Sequence, residues 1–261
     1  MITEKLIFKI PYEIADVPDY DVIFGANYYE DWNADLGVSD SGGLVDSWTS
    51  QGLNGGVFGG SGATRPSVVS GLGGSVIEFD GVSENLIVSG STGDYNFLHD
   101  TNGGCVIIVY SNLVTPAAQS QLVSNTFSGI GFRILHNSAS VVNTAIRNAG
   151  ANIAINATTE TTTNTEYNSF VNVHDPNNAT LLDRIESVTN GISGKFNTTS
   201  GTPTASNASN NLTVGKRADA SSFYLNGRVK RVIIADTIPT PTQLAQVQAR
   251  LIYDYGTFPI T

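Results

Sequence analysis

Short apolar runs, continuous or alternating with polar residues, recur along most of the chain between segments rich in Gly, Asn, Ser and Thr. Alternation with period two is typical of strands that bury one face. Strands are predicted at Asp21–Gly25, Ser67–Ser70, Ser75–Asp80, Asn85–Ser89, Cys105–Ser111, Gln121–Ser124, Gly131–His136, Val141–Arg147, Asn152–Asn156, Tyr167–His174 and Thr180–Ile185. A spacing of about 8–12 residues between strands is typical of a β-sandwich.

The last third carries one amphipathic helix. Asn226-Gly227 predicts a turn, and the β-branched run Val229–Ala235 predicts a buried strand. Thr240, Pro241 and Gln243 then form a helix start, with a capping box between Thr240 and Gln243. Leu244, Val247, Leu251 and Tyr255 follow at helical spacing, and Gly256 suits the position after the last turn. We therefore predict an all-β, two-sheet antiparallel sandwich with one C-terminal helix.

The charge of the chain argues against nucleic acid as a partner. The chain has 261 residues and a net charge of -10, and only 14% of its residues are charged. Residues 1–100 hold 15 acidic and 3 basic residues, whereas residues 101–261 hold 8 acidic and 10 basic residues. An acidic chain repels phosphates, so we expect no nucleic-acid binding. Nor is there an apolar run long enough to span a membrane.

The metal-binding and redox residue types are sparse. Cys105 is the only cysteine and lies in an apolar run, which indicates a buried side chain. Asp31, Asn33 and Asp35 have the spacing that begins a calcium loop, but Leu36 stands where such a loop needs Gly. Cofactors are therefore not expected, although a calcium site of another type is an alternative to a plain loop at Tyr28–Asp35.

Residues 1–20 look like an arm that precedes a domain at residues 21–261. Acidic residues and two prolines make this arm unlike a signal peptide. It is either the first strand of the domain or an extension that docks on another subunit. The second alternative predicts a larger assembly or a homo-oligomer.

The motifs resemble the concanavalin A-like lectin/glucanase family, in its laminin-G-like branch. The resemblance covers roughly residues 21–258 and rests on Val45–Thr49 with Gly52, Asn54 and Gly55; Arg65-Pro66; Val76–Gly81 followed by Asn85-Leu86; and Asn226–Ala235 with the helix that ends at Tyr253–Gly256. It implies a two-sheet antiparallel jelly roll. Some family members are glycoside hydrolases, and others bind sugars.

Catalysis is not expected. The hydrolases of the fold use three carboxylates with the spacing Glu-x-Asp-x-x-Glu on one strand. Here Glu78, Asp80 and Glu84 miss that spacing by one residue, and Gly81 interrupts the strand. We expect instead that Glu78 is exposed and that Asp80 caps the turn. The chain is therefore predicted not to be an enzyme.

Sugar binding would need an exposed aromatic platform. Candidate ligand-binding residues are Tyr28, Tyr29, Trp32 and Tyr95, each also explicable by packing, whereas Trp48 is expected in the core.

A fold used mostly outside cells, without a signal peptide or disulfides, suggests a bacteriophage virion surface protein. This would be a capsid decoration, a fibre or a tail module that contacts other virion proteins through residues 1–20 and displays a jelly roll that binds host glycans. The alternative is a carbohydrate-binding module of a secreted or cell-surface protein, located outside the cell.

Overall fold

The computed structural model describes residues 17–71, 73–114, 119–138, 141–149, 151–159, 167–195 and 199–255. Its strands form a sandwich of two antiparallel sheets. The first sheet contains β1 (Tyr28–Asn33), β5 (Ser67–Gly71), β6 (Gly74–Asp80), β8 (Gly104–Asn112), β13 (Asn168–His174), β14 (Ile185–Thr189), β15 (Ile192–Gly194) and β17 (Asn226–Ala235).

The second sheet runs in the order β2, β3, β4, β7, β16, β9, β10, β11, β12. Its strands are β2 (Val38–Ser41), β3 (Leu44–Thr49), β4 (Val57–Gly59), β7 (Leu86–Val88), β9 (Ser120–Ser124), β10 (Gly131–Ser138), β11 (Val141–Asn148), β12 (Ala151–Thr159) and β16 (Thr213–Val214). The two helices are α1 (Tyr20–Phe24) and α2 (Pro241–Tyr255), and single 3-10 turns occur at Gly25–Asn27, Gly62–Thr64, Asn96–Leu98 and Leu181–Asp183. The predicted all-β sandwich with a C-terminal helix is confirmed.

Two apolar layers hold the molecule together. The inner layer lies between the sheets and includes the predicted core residue Trp48 as well as Phe58 and Phe132. The outer layer lies between the first sheet and the two helices, where Ile107 and Ile233 contact the helices' apolar faces. Since β8 alternates between these layers, all nine of its residues are buried. Cys105 is among them, as predicted, and burial raises the pKa of its thiol.

Helix α2 follows the sequence prediction closely. Gln243 N–H donates to Thr240 Oγ1 at 3.3 Å, and Thr240 N–H donates to Gln243 Oε1 at 2.9 Å, which completes the capping box. The stripe from Leu244 to Tyr255 packs on the first sheet. Gly256 lies outside the described residues. Neither described helix has the length and apolar character that a membrane-crossing helix needs.

Several local predictions were wrong. Asp21–Gly25 is not a strand, because Tyr20, Ile23 and Phe24 are buried at helical spacing and form α1. Consequently α2 is not the only helix. Thr180–Ile185 is a 3-10 turn followed by β14, which starts at Ile185. Asn226-Gly227 is not a turn but the start of β17, paired with Asp80 and Phe79 of β6.

The predicted loop at Tyr28–Asp35 is mostly strand β1, which carries buried carboxylates. Asp31 is 2% exposed and accepts two hydrogen bonds from Arg231, from Nε and Nη2, both at 2.7 Å. Tyr28 donates its hydroxyl to the same carboxylate. A segment that looks solvated in sequence is therefore buried, because its charges are paired inside the protein.

Strand β17 joins these parts. One edge pairs with β8, while the other edge is shared between β6 at Asn226–Val229 and β1 at Arg231–Ala235. Lys230 lies at the junction, where the register with β8 shifts. Its buried Nζ donates to Asp35 Oδ2 at 2.6 Å and to the carbonyls of Gly73 and Ser75. Both cations that interrupt the apolar run are thus paired within the fold.

We expect Asp31→Asn to lower the free energy of unfolding by about 3–5 kcal/mol, because it takes from the buried Arg231 the carboxylate at 2.7 Å and leaves only Asp254, at 3.6 Å. Urea unfolding at pH 7 measures the change. Asp46→Asn is the matched control, since Asp46 pairs with Arg65 at a more exposed position, and should cost less than about 1 kcal/mol. Equal losses of unfolding free energy in the two variants would contradict a buried, structurally important pair between Asp31 and Arg231.

Stability should also fall in mild acid. Burial lowers the pKa of both His136 and His174 to about 4, against about 6.5 for an unfolded histidine. The unfolded state therefore binds more protons between these values, and stability falls as the pH drops from 6.5 towards 4, by about 1.4 kcal/mol per pH unit for each histidine. Urea midpoints at pH 7, 6 and 5 measure the slope. In His174→Gln the slope of stability against pH should be shallower, because one of the two buried histidines is gone. An unchanged slope would show that His174 is not buried in its neutral form.

Candidate functional site

Three of the four aromatic residues predicted to bind a ligand are buried. Trp32 and Tyr95 are 0% exposed and Tyr28 is 7% exposed, so none of them presents a ring to solvent. Trp32 donates its Nε1–H to the carbonyl of Gly56 at 3.0 Å and packs on Phe58. The exposed platform they were expected to form is therefore absent, and their packing accounts for them. Their role in ligand binding stays a prediction.

One of these aromatic residues, Tyr95, contacts a second buried carboxylate. Glu30 is 0% exposed and accepts hydrogen bonds from Asn54 Nδ2 at 2.6 Å, from Gly56 N–H at 3.0 Å and from the Tyr95 hydroxyl at 3.1 Å. Burial and then the charge of Glu30 raise the pKa of Tyr95, so that its hydroxyl stays a donor. The group holds the loop at residues 50–56 against β1.

Tyr29 is the half-exposed member of the four. Its ring lies edge-on to Phe97, with the ring centroids 5.2 Å apart. Burial, followed by the charges of Asp94, Glu30 and Asp236, raises the pKa of its hydroxyl. This end of the sandwich therefore offers a small aromatic surface in an acidic setting.

The alternative prediction was a calcium site at Asp31, Asn33 and Asp35. In the structure both carboxylates of this group are already paired with cations of the chain. Asp31 pairs with Arg231, and Asp35 pairs with Lys230 at 2.6 Å. Within the described ranges, no three His, Cys, Asp or Glu side chains are grouped as a metal site requires.

The carboxylates Glu78, Asp80 and Glu84 are engaged in structure. Glu78 pairs with Arg228 at 2.7 Å and is half-buried rather than exposed. Asp80 accepts backbone N–H groups of residues 82–84, which lowers the pKa of its carboxyl although burial opposes this shift. The predicted turn cap at Asp80 is confirmed, and the absence of catalysis stays a prediction.

A different group of side chains converges on the outer face of the second sheet. In the β10–β11 ladder Arg147 lies opposite Gly131, and Arg133 is two residues further along β10, so both arginines share one face. Because Phe132 and Ile134 point into the inner layer, this face points outward. Loop residues Phe127, Arg217 and Phe223 complete the group, which we call the arginine face.

Aromatic rings organise the arginine face. The Cζ of Arg217 lies 3.6 Å from the centroid of the Phe127 ring, and the Cζ of Arg133 lies 4.4 Å from the same centroid. The rings of Phe127 and Phe223 are 5.5 Å apart. Phe223 has a φ of 56°, a backbone conformation that is costly for a bulky residue.

The positive charges of the arginine face act on one another. Burial, and then the positive charges of Arg147 and Arg217, lower the pKa of Arg133 to about 10. The buried Nε of Arg133 has no hydrogen-bond partner among the described residues. Asp219, paired with Arg217, is the carboxylate that opposes this charge. Arg133 also donates its Nη1–H to the carbonyl of Phe127 at 2.8 Å, and Arg147 donates its Nη1–H to Asn152 Oδ1 at 2.6 Å. Three guanidinium groups thus lie close together in an acidic chain.

No protein-family model matches the chain, and no curated protein matches its sequence. Solved structures do match. The carbohydrate-binding module CBM40 of the Ruminococcus gnavus IT-sialidase, bound to alpha2,3 sialyllactose, aligns with a TM-score of 0.51 at 16% identity, over 66% of this chain and 95% of that one. Trypanosoma rangeli sialidase in complex with 2,3-difluoro-KDN aligns with a TM-score of 0.57 at 11% identity, over 91% of this chain and 33% of that one.

What these proteins share with the chain is the fold. The neighbours include a sandwich that binds carbohydrate, which agrees with the lectin-like fold implied by the sequence motifs. The chain spans a third of the length of the Trypanosoma rangeli enzyme. Sequence reasoning missed the arginine face, because Arg133, Arg147 and Arg217 stand far apart in the chain and share no motif. The only sign of the arginine face in the sequence was the small excess of basic over acidic residues in 101–261.

We expect Tyr95→Phe to lower the free energy of unfolding by about 1–3 kcal/mol, because Glu30 loses a buried donor. Tyr253→Phe is the control, since Tyr253 is 54% exposed and should change stability little. Thermal or urea unfolding measures both. A Tyr95→Phe protein as stable as the control would mean that the hydroxyl does not support Glu30.

Proposed function

We propose that the chain is a carbohydrate-binding module that binds acidic glycans at the arginine face. The observation that carries the proposal is the convergence of Arg133, Arg147 and Arg217 in a chain with a net charge of -10. Guanidinium groups suit sugar carboxylates, because their planar N–H groups donate two parallel hydrogen bonds. The half-buried rings of Phe127 and Phe223 supply apolar surface for a sugar ring.

The fold supports the same proposal. The Ruminococcus gnavus module is a structural neighbour whose structure holds sialyllactose, a glycan with a carboxylate. At 16% identity, binding residues are not transferred from this neighbour to the present chain. The choice of site therefore rests on the arginine face alone. The carboxylates Glu78 and Asp80 are held by an arginine and by backbone N–H groups, and binding without catalysis is therefore the activity we propose.

The opposite side of the sandwich is where the module would be attached. Gln243 Nε2 donates to the carbonyl of Ile23 at 2.7 Å, and Arg250 pairs with Asp19, so α1 and α2 run antiparallel. Residues 17 and 255 therefore lie near each other on the helical side, away from the arginine face. Residues 1–16 lie outside the described residues, while Tyr20 is already packed in the domain.

Attachment through the helical side fits two settings, and we propose them in this order. A carbohydrate-binding module of a secreted or cell-surface protein has the support of the structural neighbours. Display on a virion, with residues 1–20 as the anchor to other virion proteins, rests on the sequence arguments alone. Both settings place the arginine face towards glycans.

We expect 3′-sialyllactose to bind and lactose to bind at least tenfold more weakly. Arg133→Gln and Arg217→Gln should each weaken sialyllactose binding about tenfold or more, since each removes a charge-assisted hydrogen bond. Isothermal titration calorimetry at 50 mM and 200 mM NaCl measures these affinities, and the higher salt should weaken sialyllactose binding.

Two control variants locate the site. Arg65→Gln removes an arginine that pairs with Asp46 and should leave binding unchanged. Tyr29→Ser changes the aromatic surface beside Phe97 and should also leave it unchanged. Loss of binding in Tyr29→Ser with full binding in Arg217→Gln would move the site to the Tyr29 end. Equal affinities for lactose and sialyllactose would reject an acidic ligand.

A further inference from the structure

The arginine face contains a carboxylate of its own. Asp219 accepts two hydrogen bonds from Arg217, one from Nε and one from Nη2, the latter at 3.1 Å. Both side chains are about one quarter exposed, at 23% for Arg217 and 24% for Asp219. The pair therefore lies where a ligand in solution can reach it.

The position of Arg217 has supports other than Asp219. One of its faces lies on the ring of Phe127, with Cζ 3.6 Å from the centroid, and Phe223 lies 5.5 Å away. The backbone N–H of Arg217 donates to the carbonyl of Ser222 at 3.1 Å and closes the loop beneath the pair. Stacking and the backbone hydrogen bond are thus contacts of Arg217 that do not involve Asp219.

Asp219 is chemically equivalent to the group that an acidic sugar would present. A carboxylate on the Nε–Nη2 edge of Arg217 uses the donors best placed for two-pronged binding of another carboxylate. A ligand carboxylate must either replace Asp219 on that edge or lie beside a like charge. Both arrangements make Asp219 unfavourable for an acidic ligand and leave a neutral sugar unaffected.

We propose that Asp219 is a built-in competitor that lowers the affinity of the arginine face for acidic glycans and so sets its specificity. This inference rests on the proposed function. As a competitor, Asp219 weakens ligand binding because it occupies Arg217. A residue that merely orients the arginine would strengthen ligand binding. The two roles predict opposite signs for the removal of Asp219, and a binding measurement therefore separates them.

The test compares Asp219→Asn and Asp219→Ala with the unaltered full chain, using 3′-sialyllactose and lactose as probes. Release of an exposed ion pair corresponds to about a two- to fivefold gain in affinity. We expect both variants to bind sialyllactose about two- to fivefold more tightly, with lactose binding unchanged. Asp219→Glu, which keeps the charge, should show no gain.

Asp183→Asn is the matched control for net charge. Asp183 forms an exposed pair with Lys195 at 2.9 Å, and its removal changes the net charge by the same amount. It should leave the affinity for sialyllactose unchanged. A gain as large as that of Asp219→Asn would mean that total charge, and not competition at Arg217, sets the affinity, and the inference would be wrong.

Three further outcomes are distinguishable. Weaker binding in the Asp219 variants would assign Asp219 an orienting role and overturn the inference, while the arginine face would stand. Unchanged binding in both variants would overturn it as well. If the unaltered chain binds no sialyllactose and neither Asp219 variant does, the proposed function itself fails. Circular dichroism melts of each variant verify that differences in affinity do not come from unfolding.

Discussion

Arg231 and Asp31 form the buried ion pair on which the arrangement of strands and helices depends. The two side chains join β17 to β1 through two hydrogen bonds of 2.7 Å. The guanidinium also lies 4.5 Å from the centroid of the Tyr20 ring in α1 and 3.4 Å from the Tyr255 hydroxyl of α2. One pair of charges thus connects two strands of the first sheet with both helices that cover it. Buried charges are tolerated because each is matched and hydrogen-bonded.

The two outer faces of the sandwich differ, because the described helices cover only the first sheet. The outer face of the first sheet is covered by α1 and α2, and its charged residues are used in structural pairs. The outer face of the second sheet carries Arg133 and Arg147, and the loop residue Arg217, paired with Asp219, lies beside them. These guanidinium groups also contact the fold, since Arg133 donates to the carbonyl of Phe127 at 2.8 Å and Arg217 pairs with Asp219, and we propose that they bind a ligand with their remaining donors. The proposed division is therefore one face for attachment and one face for recognition.

The elements predicted correctly from sequence are those whose stability is local or whose apolar pattern is clear. Helix α2 has a capping box between Thr240 and Gln243 and an apolar stripe of its own, and β8 contains the continuous apolar run Cys105–Val109. Strand β1 was missed because Asp31 finds its partner 200 positions away in the chain, which no local pattern reports. Sequence reasoning missed the arginine face for the same reason, since the register of β10 against β11 brings Arg133 and Arg147 together.

The most direct test of the central claim is a nuclear magnetic resonance titration of the ¹⁵N-labelled chain with 3′-sialyllactose, observing the arginine Nε–H resonances. The account predicts that the signals of Arg133, Arg147 and Arg217 shift together and saturate, while the signal of the buried Arg231 stays in place. Lactose should leave all four unchanged. Shifts confined to the surroundings of Tyr29, or none at all, would contradict a glycan site on the arginine face.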